Sequence, residues 1–174
     1  MGMLGAWLRR VYRWGRRLGR RRDDRPGRGA ARFPIGAAVL IRDARGHILL
    51  VQQSYRSSAI WLPPGGWVDR GETPEQAACR EAREEVGLEV AVGRPLAVGG
   101  GGYGEVTILF DCMPLGEPNL RLSDEIERAA FFPPDALPPL ADQTRRWLAE
   151  ALAALDADRP LSDDEAATDT RGAG

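Results

Sequence analysis

Lysine is absent from this chain of 174 residues, so all 24 of its basic residues are arginine. That skew fits a GC-rich coding bias better than a binding function. Histidine occurs once, as His47 at the start of a predicted strand, and is assigned no role. The two cysteines, Cys79 and Cys112, lack metal-ligand spacing. This excludes a zinc framework and a disulfide scaffold, and reads as two reduced, buried thiols. No apolar run approaches the roughly 18 residues that a membrane-spanning helix needs. The N-terminal arginines have no apolar core behind them, so a signal peptide is not expected.

What is present suffices for one compact domain and is too short for two ordinary ones. Hydrophobic residues make up 43% of the chain, enough for a real core and against full disorder. The net charge of −1 hides a split: residues 1–32 hold 11 arginines against Asp23 and Asp24, and the remainder is correspondingly acidic.

Within residues 1–22, Leu4, Trp7, Leu8, Val11, Tyr12 and Leu18 fall near one helical stripe, with arginines filling the rest. A basic amphipathic helix with tryptophan resembles a segment that lies in a membrane interface. An anionic lipid surface and nucleic acid both suit its charge, the tryptophans putting lipid first. A mobile tail, or residues upstream of the true translation start, are the alternatives. Residues 23–32 read as a linker, residues 33–155 as the folded domain, and residues 156–174 as an acidic disordered tail.

The domain opens with two β-prone runs, "FPIGAAVLIRD" and "HILLVQQS", joined by a turn ending at Gly46 that predicts a hairpin. "AIWLPPGG" cannot be helical, because Pro63 and Pro64 break a helix. A helix is predicted next. Thr73 and Gln76 fit a capping box, Pro74 takes the first helical position and Gly87 the left-handed cap. Ala78, Ala82 and Val86 line its packing face. "LEVAVGRPLAVG", "EVTILFDCMP" and "RAAFFP" read as strands, the first two flanking "GGGGYG". "LADQTRRWLAEALAAL" reads as a C-terminal helix packed through Leu140, Trp147, Leu148 and Leu152.

Glu81, Glu84 and Glu85 lie within one turn of the first helix, where like charges repel. Either they form a solvated face or a cation sits among them. Oxygen donors without a nearby histidine or cysteine suit a hard ion, Mg²⁺ or Mn²⁺, and magnesium prefers to share its ligands with phosphates.

The spacing is more specific than the cluster. Gly66, Glu72, Arg80, Glu81, Ala82, Glu84, Glu85, Gly87 and Leu88 fill all nine constrained positions of G-x5-E-x7-R-E-U-x-E-E-x-G-U, where U is apolar. This resembles the Nudix box, with Ala82 the smallest apolar residue its position admits. The resemblance extends to "GAAVLIRDARGHILLVQQS", which resembles the family's opening hairpin, to "WLPPGGWVDRGET" and to "SDEIERAAFFPPDALP", covering about residues 33–155.

The resemblance implies an α/β fold, the Nudix α/β/α sandwich with a mixed sheet, and hydrolysis of a nucleoside diphosphate linked to another moiety, with Mg²⁺ or Mn²⁺ as cofactor. It implies Glu81 and Glu85 as metal ligands, Glu84 as a further ligand or the base, and the Gly66 carbonyl as a contributor. Arg80 would orient a glutamate of the helix, and Glu72 would support the loop or hold a metal-bound water. Members differ in the base, some using a later loop; Glu125 is the best such candidate here, with Glu105 behind it. The proline that marks ADP-ribose hydrolases and the extended motifs of the NADH and coenzyme A hydrolases are absent. Tyr103 resembles the tyrosine of the dinucleoside polyphosphate group, at the wrong offset. Trp61 either stacks on a base or packs in the core. The expected partners are a small nucleotide, an anionic membrane surface through residues 1–22, and a second copy of the chain as a homodimer. The expected compartment is the cytoplasm, with peripheral attachment to the membrane. A nucleotide-binding sensor without catalysis is the alternative, although such sensors lose box glutamates and this chain keeps them.

Overall fold

The computed structural model describes residues 33–55, 60–100 and 104–157. The expected N-terminal helix (residues 1–22), the linker (23–32), Tyr103 and the tail beyond 157 lie outside the described residues. Six strands and two helices follow in order: β1 (Ile35–Ile41), β2 (Ile48–Gln53), β3 (Gly65–Trp67), α1 (Pro74–Val86), β4 (Val90–Gly100), β5 (Val106–Pro114), β6 (Ile126–Phe132) and α2 (Asp142–Ala157). One sheet has the order β3-β1-β5-β4, and β2 pairs with β6 in a second. β1 runs parallel to β5 and antiparallel to β3, so the sheet is mixed.

β1 is buried along nearly its whole length because both faces are covered. Its alternate residues divide the core. Ala37, Val39 and Ile41 pack with Ala77, Ala78, Ala82 and Val86 of α1. Ala38 and Leu40 pack with Leu148 and Ala151 of α2. The result is the α/β/α sandwich the resemblance implies. The small residues at 77, 78 and 82 are wholly buried, which lets α1 lie close on the sheet.

The predicted hairpin is corrected. Its turn is present: Asp43 Oδ1 accepts the N–H groups of Arg45 and His47, and Gly46 takes a φ of 80°. Yet β1 and β2 share only the bridge between Arg42 and Ile48 before diverging into separate sheets. The segment 61–67 fills the fork. Leu62 exchanges both backbone hydrogen bonds with Val51 of β2, and Val39 of β1 donates to the Pro64 carbonyl at 2.9 Å. From Gly65 the segment pairs with β1 as β3. Unpaired backbone groups are costly once buried, so wedging a third segment between the strands outcompetes closing a long hairpin.

α1 carries the predicted caps. Thr73 and Gln76 bond reciprocally, Pro74 opens the helix, and Gly87 closes it at a φ of 72°. Such a cap contributes about 1 kcal/mol. On the other face of the sheet α2 packs through Trp147, Leu148 and Leu152 as expected, but it starts at Asp142; Leu140 joins the same core from before the helix, where it bridges to Trp61. α2 continues to Ala157, so Asp156 belongs to the helix rather than opening the tail. Trp61 meets Phe132 edge-to-face at 4.8 Å and packs on the same core. Cys112 is buried and Cys79 only partly, and both are free. Burial, reinforced by the Asp111 carboxylate, pushes the Cys112 thiol up to about 12, so it stays protonated.

Candidate active site

α1 lies over β3 so that helix positions one turn apart meet adjacent strand residues. Glu85 Oε2 accepts the Gly65 N–H at 2.9 Å. Glu81 lies against Gly66, where an added Cβ would fall on the Glu81 carboxylate. A Cβ on Gly65 would stand 2.5 Å from the Ala37 carbonyl oxygen. The glycine pair is therefore required by close approach on both sides: strand on strand at 65, carboxylate on backbone at 66.

Arg80 anchors the loop between β3 and α1. Its Nε and Nη2 grip the two oxygens of Glu72 at 2.9 and 3.0 Å, and Nη2 also donates to the Trp67 carbonyl at 2.9 Å. Nη1 reaches Glu81 Oε1 at 2.6 Å and Glu84 Oε2 at 3.3 Å. These bonds, that to Glu72 foremost, hold the guanidinium above its already high ordinary value despite burial. Glu72 in turn accepts the Asp69 N–H at 2.9 Å. Of the two roles open to Glu72, support of the loop is the one its contacts favour.

Glu81 and Glu85 are 6% and 5% exposed, whereas the Glu84 side chain sits at the rim, 45% exposed. Glu85 is the unbalanced member. Glu81 has a guanidinium beside it; among the described residues, the partners of Glu85 are N–H donors, from Gly65 and the Gln53 side chain. Burial pushes the Glu85 carboxyl up to about 8, the Gly65 N–H opposes that rise, and the charges of Glu81 and Glu125 add to it. Among the described residues no three His, Cys, Asp or Glu side chains already stand close enough to enclose an ion. Arg80 and the Gly65 N–H draw the carboxylates toward themselves. The donor set nonetheless fits a hard divalent cation: two buried carboxylates, a third at the rim, and a backbone at Gly66 kept bare of side chain.

The structure brings Glu125 close enough for its charge to act on Glu85, while Glu105 immediately precedes β5. The Glu125 loop is stitched on both sides. Ser123 N–H donates to the Glu85 carbonyl at 3.1 Å, and Ser54 N–H to the Glu125 carbonyl at 2.9 Å. Ser54 Oγ also donates to the Asp124 carbonyl at 3.0 Å. Gln53 went unremarked in the sequence. Its signal is the polar pair that ends the otherwise apolar "ILLVQQ", both members of which are buried.

The family model for the NUDIX domain matches residues 32–155. This chain belongs to the Nudix family. It is 30% identical over 149 residues to the NAD-capped RNA hydrolase NudC of Stutzerimonas stutzeri, covering 83% of this chain and 54% of that protein. It is 32% identical over 118 residues to NudC of Pseudomonas aeruginosa, covering 66% and 42%. The chain thus spans about half the length of these curated relatives. Among solved structures it is similar to a MutT NUDIX hydrolase from Burkholderia pseudomallei, with a TM-score of 0.57 and 30% identity, covering 69% of this chain and 98% of that one. It is also similar to an ADP-ribose pyrophosphatase from Streptococcus suis, with a TM-score of 0.61 and 26% identity, covering 72% and 94%. Nudix hydrolases generally need a divalent metal and act on small nucleotides. No helix among the described residues is long and apolar enough to cross a membrane.

Proposed function

We propose that this Nudix protein is a divalent-metal-dependent hydrolase that cleaves a pyrophosphate bond in a nucleoside diphosphate linked to another moiety. The observation that carries the reading is Glu85, a buried carboxylate flanked by Glu81 and Glu125 with no cationic side chain paired to it among the described residues. A buried charge in like-charged company is costly unless a cation balances it. Glu81 and Glu85 would hold the cation, with the Gly66 carbonyl and Glu84 as further donors. Mg²⁺ or Mn²⁺ bound there would neutralise the diphosphate and acidify water. Arg80 holds the Glu81 carboxylate and, through Glu72 and the Trp67 carbonyl, the loop that presents Gly66. Glu84 or Glu125 takes the proton from the attacking water. Glu125 is supported by its place in the field of Glu85, Glu84 by its position in the box.

The working compartment in this reading is the cytoplasm. Residues 1–22 would hold the enzyme at an anionic membrane surface, nucleic acid being the other ligand their charge suits, and a homodimer is compatible with the domain. The test is a panel of nucleoside triphosphates, nucleotide sugars and dinucleotides, assayed with Mg²⁺, with Mn²⁺ and with chelator. Turnover of at least one substrate that stops with chelator, while the unfolding midpoint moves by only a few degrees, is expected. No turnover across the panel overturns the reading, and outright unfolding by chelator makes the metal structural instead.

A further inference from the structure

β2 and β6 pair regularly from Ile48 with Phe132 to Gln52 with Arg128, and then the register slips. Gln53 pairs with Ile126, leaving Glu127 as the extra residue of a bulge. Bulges bend the strand and re-aim the side chains beside them. Gln53 is the last residue of β2, and its side chain is buried at 6% exposure. Leu49 and Val51, four and two residues before it, face the core under α1, so Gln53 shares their side of the strand. There it bonds to the Glu85 carboxylate, and since a carboxylate only accepts, the amide N–H is the donor. The next residue, Ser54, ties down the loop that carries Glu125. A single bulge therefore sets the residue that holds Glu85 beside the acid that faces it.

We propose that Gln53 is a positioning residue for the divalent-cation site. With the Gly65 N–H it forms a two-donor clamp on the Glu85 carboxylate, so that the remaining lone pairs point toward Glu81 and Glu125. The clamp acts before any cation arrives: it fixes the rotamer of a side chain that like-charged neighbours would otherwise push aside. It also explains why an apolar strand ends in a buried amide. A leucine there would satisfy the core but leave Glu85 with one donor. The inference rests on the metal-dependent reading above and assigns Gln53 no contact with the nucleotide.

The experiment measures Mn²⁺ binding to the whole protein by electron paramagnetic resonance, without substrate, alongside kcat and KM. Gln53→Met keeps the volume and removes the donor. Gln53→His places an Nε2–H close to where the amide N–H stood. Loss of a partner that orients a ligand typically costs 10- to 100-fold in metal affinity. Gln53→Met should weaken Mn²⁺ binding by that factor and lower kcat with KM for nucleotide little changed, and Gln53→His should bind within a few-fold of the parent. Equal Mn²⁺ affinity in parent and Gln53→Met overturns the assignment, even if the variant melts earlier, and so does Gln53→His failing as Gln53→Met does. If the parent itself binds no Mn²⁺, the metal-dependent reading falls and this inference with it. Should Gln53→Met not fold, Gln53→Asn carries the comparison, because its amide stops one methylene short; parental affinity in that variant overturns the clamp.

Discussion

Glu85→Gln should make the metal-free protein more stable while removing its activity. The Glu85 carboxyl is raised from 4.5 to about 8, chiefly by burial. A group whose value is higher in the folded than in the unfolded state favours folding while it is protonated in both. That contribution is complete below about 4.5 and is lost progressively as pH rises to about 8. Between those limits the folded state binds more protons than the unfolded one, so the slope of stability with pH is negative. With 1.36 kcal/mol for each tenfold change, the loss has a ceiling of about 3 kcal/mol at pH 7 and about 5 kcal/mol above pH 8. Glutamine keeps the shape, stays neutral at every pH and still accepts the Gly65 N–H. Denaturant unfolding in chelator, from pH 5 to pH 9, should therefore show parent and variant alike at the acid end and diverging toward the alkaline end, with the variant on top. The gap corresponds to a melting difference on the order of 10 °C at pH 8. In the same variant kcat should fall by several orders of magnitude at saturating Mg²⁺, because an amide is a poor ligand for a hard cation. Parallel curves for the two proteins would refute the strained buried charge. Near-normal turnover would refute the ligand role.

Arg80→Lys should cost about 2–3 kcal/mol in chemical denaturation, because one ammonium cannot serve Glu72, Glu81 and the Trp67 carbonyl that the guanidinium fork holds together. Its kcat should fall with it, and unchanged stability would mean that the fork does not anchor the loop. Removing residues 1–28 should leave hydrolysis of a small substrate largely unchanged, since no box residue lies there. Sedimentation with anionic vesicles at low salt should be lost with those residues, and in the full chain should weaken at high salt, each arginine near the surface contributing about 1 kcal/mol. A full-length protein that ignores such vesicles would end the membrane reading, and loss of catalysis on truncation would place the segment in the site itself.

Local chemistry determined α1 before any tertiary contact. The capping box of Thr73 and Gln76, the proline at 74 and the glycine at 87 act within a few residues of one another, and all are found in the predicted place. The box spacing likewise determined which acids share the helix, because 3.6 residues per turn is a property of the backbone. The apolar runs marked the strands for the same reason. Partners were another matter. The Asp43–Gly46 turn is real, yet β1 and β2 part after one bridge, because segment 61–67, a stretch of two prolines and two glycines, takes the hydrogen bonds between them. Nothing local to either strand encodes that competition. The same holds at the site. Glu81, Glu84 and Glu85 look equivalent on a helical wheel, and only the packing of α1 over β3 buries two and leaves the third at the rim. Glu125 looks like any loop acid in the sequence; the bulge opposite Gln53 and the two bonds from Ser54 hold its loop beside the end of β2. The sequence by itself determined the elements and the chemical kind of the site, because propensity, capping and spacing are short-range. Tertiary structure decided strand partners, burial and so the charge balance around Glu85, because burial, hydrogen bonding and like-charge repulsion there depend on neighbours more than 20 residues away along the chain, such as Gln53, which donates to it, and Glu125, whose charge opposes its own.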